Sequence, residues 1–208
     1  RQASASTEST YPQASGLVSP PLGPADKRPP PPSRLFIGTS RGMVYVLDHQ
    51  AREIGAFCLH TKAVTDLSVD RTGSYVASCS EDGLVHVQQL PKIKGQAPKS
   101  PWTKTFTKPV LTVSINPDYT HEHSQIICCG GEENKLYLSR KRTFDDRSQV
   151  LHSGEGPISS IKWRKSLVAW SNSKGVKVFD LTTLQRLAFA PKSSAPVAEM
   201  ALQALPWM

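Results

Sequence analysis

The sequence predicts an all-β chain: an incomplete β-propeller of about four blades behind a disordered Pro/Ser-rich tail. Three observations predict it. First, an alternating strand follows a tight turn four times, as Met43-Val44-Tyr45-Val46-Leu47-Asp48, Leu84-Val85-His86-Val87, Lys135-Leu136-Tyr137-Leu138 and Val176-Lys177-Val178-Phe179-Asp180. Second, the turn residues Gly42, Gly83, Asn134 and Gly175 are spaced by 41, 51 and 41 residues, and all-strand units of about 40–45 residues are the period of WD40-type blades. Third, residues 1–33 are of a different composition from the rest. A repeat of this kind implies a binding surface and argues against an enzyme.

Residues 1–33 hold eight prolines and few large apolar side chains, too little to offset the entropy of ordering, so the segment is expected to be disordered. Within it the run from Pro29 to Pro32, followed by Arg34, forms a P-x-x-P-x-R pattern, a candidate SH3-type ligand in a polyproline II stretch. From residue 34 to 190 short β runs alternate with turn signals. Blades are expected at 34–60, 61–108, 109–152 and 153–190. The first gives strands over 35–39 and 43–48, with an outer strand near 53–59. The second gives 64–69, 75–80, 84–88 and an outer strand near 103–107. The third gives 110–115, 125–129, 135–138 and 149–151, with the polar stretch 119–124 inserted in a loop. The fourth gives 157–163, 167–171, 175–179 and 184–190. Each unit reads as a four-stranded antiparallel meander. Residues 191–208 read as a divergent tail with weak helical tendency that starts no fifth blade.

The chain has 208 residues and a net charge of +8. It begins on Arg1, as a piece of a longer protein would. No apolar run is long enough to span a bilayer as a helix. Cys58, Cys79, Cys128 and Cys129 form no C-x-x-C pair, and neighbours on a strand point to opposite faces; reduced, partly buried thiols are expected. The stretch 91–108 concentrates Lys92, Lys94, Lys99, Lys104 and Lys108 without an acid. This cluster is the candidate contact for an anionic lipid or an acidic partner. Nucleic acid is not expected, because no aromatic interleaving accompanies the lysines.

Catalytic and metal constellations are not evident, and no cofactor or small-molecule substrate is expected. Gly154-Glu155-Gly156-Pro157 lacks the Lys-Ser/Thr pair of a phosphate loop and reads as a blade connection. His121 and His123 lack a third ligand at motif spacing. Asp145 and Asp146 read as turn residues. Asp82, in Ser80-Glu81-Asp82-Gly83, reads as a hairpin-turn aspartate. Trp163 and Trp170 read as core side chains.

The repeats resemble degenerate WD40 units. Leu59-His60 stands where Gly-His is common, and Leu47-Asp48 and Phe179-Asp180 stand for Trp-Asp, but no unit holds the full His, Ser/Thr, Asp and Trp set. Two stretches are more distinctive. One is Val150-Leu151-His152-Ser153-Gly154-Glu155-Gly156-Pro157-Ile158, running on to Trp163-Arg164. The other is Leu167-Val168-Ala169-Trp170-Ser171-Asn172, with Gly175 to Asp180 after it. With Ser80 to Val87 and Gly38 to Asp48 they resemble, in order, the N-terminal propeller of the vacuolar protein sorting-associated protein 41 family, over about residues 34–190.

That resemblance implies a subunit of the HOPS tethering complex. The expected role is in vesicle-mediated transport, endosome and vacuole tethering and fusion, and protein targeting to the vacuole or lysosome. The expected location is cytoplasmic, peripheral on late-endosomal, vacuolar or lysosomal membrane. The expected partners are the other HOPS core subunits and a late-endosomal Rab GTPase. It also implies that the first propeller strand is replaced here by the tail and the later blades by residues 191–208. The alternative reading is a generic WD40 scaffold of another multiprotein complex. Half a ring standing alone leaves two blade faces open, and aggregation or pairing is expected of it.

Overall fold

The computed structural model describes residues 34–91, 99–141 and 148–192. Fifteen strands form four antiparallel sheets in chain order. The first sheet holds β1 (Leu35–Gly38), β2 (Met43–Leu47) and β3 (Glu53–Cys58). The second holds β4 (Val64–Val69), β5 (Tyr75–Ser80), β6 (Leu84–Gln89) and β7 (Trp102–Thr105). The third holds β8 (Val110–Ile115), β9 (Ile126–Gly131), β10 (Lys135–Arg140) and β11 (Ser148–Ser153). The fourth holds β12 (Ser160–Arg164), β13 (Leu167–Asn172), β14 (Gly175–Asp180) and β15 (Gln185–Pro191). Every sheet is an up-and-down meander, and the set is an unclosed, incomplete propeller.

The first sheet has three strands among the described residues, matching the three runs that the sequence gives at 35–39, 43–48 and 53–59. The inserted stretch 119–124 differs from a purely polar loop. Tyr119 is 1 % exposed and packs on Tyr75, ring centroids 5.1 Å apart, so the insertion folds back onto the core. Within the insertion a 3-10 turn spans Glu122–Ser124.

The core lies between sheets. Side chains alternate across a strand, so a middle strand with a sheet on either side is apolar on both faces. On β5, Val76 joins Val46 and Leu90 between the first two sheets, while Ala77 and Cys79 join Val85, Val113 and Ile127 between the second and third. On β9, Cys129 faces the second sheet, and Cys128 packs with Leu136, Ile158 and Trp170 toward the fourth. The adjacent cysteines thus occupy separate seams, as their alternation requires. All four cysteines are free, and Cys58 is exposed. Burial pushes the Cys79 thiol up to about 12 and raises the Cys128 and Cys129 thiols as well.

The innermost strands β4, β8 and β12 are stitched by side chains. Asp66 Oδ2 accepts from Thr112 Oγ1 at 2.7 Å and from Val113 N at 3.1 Å. Thr112 Oγ1 in turn accepts from Ile161 N at 3.1 Å. Ser68 Oγ accepts from Ile115 N at 3.1 Å, and Thr65 Oγ1 donates to Val110 O at 2.6 Å. These bonds use inner-strand N–H and C=O groups that the meander itself leaves on one edge.

Candidate interaction surface

Three polar corners fix the places where the chain leaves one blade for the next, and they set the geometry of the loops. At the first corner the turn after β5 meets the connection after β3. Gly83, with φ +80, makes this turn; a Cβ there would lie 2.6 Å from Phe106 O. Asp82 accepts from Leu84 N at 2.9 Å and Thr61 N at 2.9 Å, and lies 3.4 Å from His60 Nδ1. The other nitrogen of His60 is 2.8 Å from Ser78 Oγ, and its ring sits 4.7 Å from that of His86. Burial pushes His60 below its ordinary value, against the pull of Asp82; burial likewise pushes His86 down, helped by His60. Burial pushes Asp82 up, but the N–H groups of Thr61 and Leu84 and the imidazole outweigh it and hold the carboxyl low.

The second corner repeats the plan with other residues. Glu133 accepts from Thr107 N at 3.1 Å, from Thr107 Oγ1 at 2.7 Å and from the Tyr137 hydroxyl. The Tyr137 and Thr107 bonds hold Glu133 below the usual carboxylate range. Asn134, at φ 58, takes the place of the turn glycine, as asparagine tolerates this region. The third corner inverts the plan. Here the carboxylate comes from the connection: Glu155, at φ 65 between Gly154 and Gly156, pairs with Lys177 of β14 and accepts from Asn172 Nδ2 at 3.0 Å. Lys177 is 5 % exposed and lies 5.6 Å from the centre of the Phe189 ring. The Lys177 and Asn172 contacts hold Glu155 low, while burial and Lys177 push His152 down.

These corners account for several sequence-level candidates. Asp82 is a turn residue, as read, and also ties the turn to the preceding connection. Glu155 lies in a blade connection. His60, Ser78 and Asp82 come together, with His86 as the fourth member where an indole is absent. Glu133 and Lys177 escaped notice, because neither lies in a motif; their signal is only the blade position, which Glu133 shares with Asp82 and Lys177 with His86. Trp170 is buried and Trp163 half-buried, its Nε1 donating to Lys165 O at 2.7 Å.

The basic candidates are less gathered. Lys92 and Lys94 lie outside the described residues, as do Pro29 and Pro32 of the Pro-rich pattern, Asp145 and Asp146. Arg34 donates to Gly73 O at 3.2 Å. Lys99 and Lys108 are exposed, and Lys99 O accepts from Gln88 Nε2 at 2.9 Å. Lys104 is half-buried on β7 opposite Val85, and its charge acts on the Cys129 thiol. His123 O accepts from Arg140 at 2.7 Å.

A family model described as Vps42 beta-propeller matches residues 32–206. The chain belongs to the vacuolar protein sorting-associated protein 41 β-propeller family. The vacuolar protein sorting-associated protein 41 homolog of Arabidopsis thaliana is 39 % identical over 178 residues, which cover 83 % of this chain and 17 % of that protein. The homolog of Mus musculus is 36 % identical over 160 residues, 76 % of this chain and 18 % of that one. The chain therefore spans under a fifth of the length of these relatives of the 41 family. Among solved structures, the Cps50 (Swd1) β-propeller domain of Myceliophteria thermophila superposes with a TM-score of 0.63 at 18 % identity, over 77 % of this chain and 53 % of that domain. At that identity the likeness speaks for the propeller fold of the 41-family chain.

Proposed function

We propose that this chain is a protein-interaction module of a HOPS-type tethering subunit, serving vesicle tethering and fusion at the endosome and vacuole, and protein targeting to the vacuole or lysosome. The observation that carries the reading is the 39 % identity to a relative named for vacuolar protein sorting across 83 % of the chain. The architecture supports binding and not catalysis: paired sheets hold loops in fixed positions, and loops on a rigid frame are where partners are met. The partners are the other HOPS core subunits and a late-endosomal Rab GTPase, and the location is peripheral, on late-endosomal, vacuolar or lysosomal membrane. Affinity purification of the tagged chain from cells tests this. Recovery of HOPS core subunits is expected; a stably expressed chain that recovers none refutes it.

The lysines between β6 and β8 are the proposed contact with anionic lipid or an acidic partner. Exposed Lys99 and Lys108 support it among the described residues. Changing Lys92, Lys94, Lys99 and Lys108 to Glu should abolish co-sedimentation with phosphatidylserine vesicles, since each cation near such a surface contributes about 1 kcal/mol. Undiminished binding removes the site.

A further inference from the structure

The inner strands fix which turns share a rim of the sheets. Thr65 bonds Val110, Asp66 bonds Thr112 and Ser68 bonds Ile115, rising in step, so β4 and β8 run the same way. Thr112 and Ile161 carry the register on into β12. The turns that follow these strands therefore lie on one rim, opposite the three polar corners. The chain leading into β11 and β15 joins them there: Lys141 N donates to Gln125 O at 2.9 Å, and Leu181 N to Ser166 O at 2.9 Å.

Two adjoining turns on this rim hold residues that folding does not favour there. Lys165, between β12 and β13, has φ 54, and Leu184, between β14 and β15, has φ 55. A side chain in this region crowds its own backbone, and glycine or asparagine is the usual occupant. On the corner rim Asn134 follows that usage, and Glu155 bonds Lys177 and Asn172. Leu184 instead is 59 % exposed, and Lys165 is exposed as well. A strained residue left this open to solvent points to a function outside the fold. Cations surround the leucine. Arg164 and Lys165 stand in the adjoining turn, and exposed Lys99 and Lys141 and half-buried Arg140 lie on the same rim. Most carboxylates here are engaged. Asp48 and Asp118 pair with Arg52 and Arg71 at 2.8 and 2.6 Å, and Asp180 accepts from Thr182 N at 2.9 Å. Buried Asp70 accepts from Ser74 N and Tyr75 N, while Glu122 stays an exposed acid.

We propose that this rim, centred on Leu184, Arg164 and Lys165, docks on an anionic lipid bilayer: the leucine enters the interface and the cations meet the lipid phosphates. An aliphatic tip beside cations is what such a surface holds. The layout agrees. The cations come from separate turns of three sheets, spread as a plane would meet them, and the leucine stands in a turn, whereas an acidic peptide would need a groove to lie in. The inference rests on the peripheral membrane location proposed above. It adds a surface that shares only Lys99 with the lysines between β6 and β8.

Flotation of the full chain with phosphatidylserine vesicles at physiological salt tests it, since vesicle-bound protein rises and aggregated protein sinks. Arg164→Glu with Lys165→Glu should weaken binding at least about tenfold, each cation near such a surface being worth about fivefold. Lys62→Glu with Lys174→Glu, the same charge change on the corner rim, should stay within about twofold of wild type, because charges beyond a Debye length are screened. Leu184→Gly should weaken flotation at least about threefold and leave the melting midpoint equal or higher, because glycine takes φ 55 without strain. A leucine kept for packing would instead lower the midpoint and leave flotation unchanged. That result, equal losses for the two charge-reversed pairs, or a wild-type chain that does not rise with the vesicles overturns the proposal. Binding of a polyglutamate peptide without flotation would assign the rim to an acidic protein. Affinity purification keeps the two readings apart: a chain that recovers HOPS core subunits and does not float loses the lipid surface and keeps its role as an interaction module.

Discussion

Asp82 concentrates several bonds in one carboxylate. It holds two backbone N–H groups, one from the connection after β3 and one at the start of β6, and faces an imidazole held neutral by burial. Asp82→Ala leaves those N–H groups without their acceptor and should cost about 2 kcal/mol of unfolding free energy, read by urea titration. Asp82→Asn should cost less, because its carbonyl can still accept. The same corners make the protein acid-sensitive. His60, His86 and His152 all have folded pKa values below the ordinary 6.5. Their contribution is therefore complete above that value and is lost as pH falls through it, because the unfolded chain takes up protons that the folded chain refuses. Asp82, Glu133 and Glu155, also held low, add a loss in the same direction at lower pH. The urea midpoint should fall between about pH 7.5 and about pH 5.5. A midpoint constant over that range would mean that the imidazoles are not held neutral.

Strands were legible in the sequence because they are a local property. Turn glycines and alternation placed β4, β5 and β8 at their observed bounds, and most others within two or three residues. Alternation says which side chains share a face; it does not say what that face meets. Tyr119 looked polar by its neighbours and is core. Lys104 looked like one of five loop cations and sits half-buried on β7. The corner carboxylate comes from the turn in two blades and from the connection in the third, so no fixed motif could reveal it. The Asp66–Thr112–Ile161 stitch is likewise a pairing across 46 to 49 residues of sequence. Thr112→Val removes the hydroxyl that serves both neighbours while keeping the shape. It should cost about 1–3 kcal/mol by calorimetry, whereas Thr112→Ser, which keeps the hydroxyl, should recover most of it. Equal losses for the two would show that packing, not the stitch, matters at this position.

The described residues form a row of sheets with two ends. At the first end Leu35 and Ile37 are 53 % and 40 % exposed on the face turned away from the second sheet, and Ile54 on β3 is 49 % exposed. Exposed apolar strands of this kind favour association. In sedimentation velocity the chain should self-associate as concentration rises, and Leu35→Lys with Ile37→Lys should shift it toward monomer without lowering its melting midpoint. Unchanged association in that variant would place the sticky surface elsewhere. The repeat count of four and the family were both legible, since turn spacing and the distinctive stretches of the third and fourth units survive in a single sequence.

The cysteines give this row of sheets an internal gauge. Cys58 is open to solvent, Cys79 and Cys129 are sealed between the second and third sheets, and Cys128 is sealed between the third and fourth. A thiol reagent therefore reads the joints separately: prompt modification of Cys58 marks intact protein, and each later adduct names the joint that has come apart. Neighbours in sequence, Cys128 and Cys129 report on different fractures, so the order in which a mass spectrum gains them traces how the propeller comes undone, blade by blade.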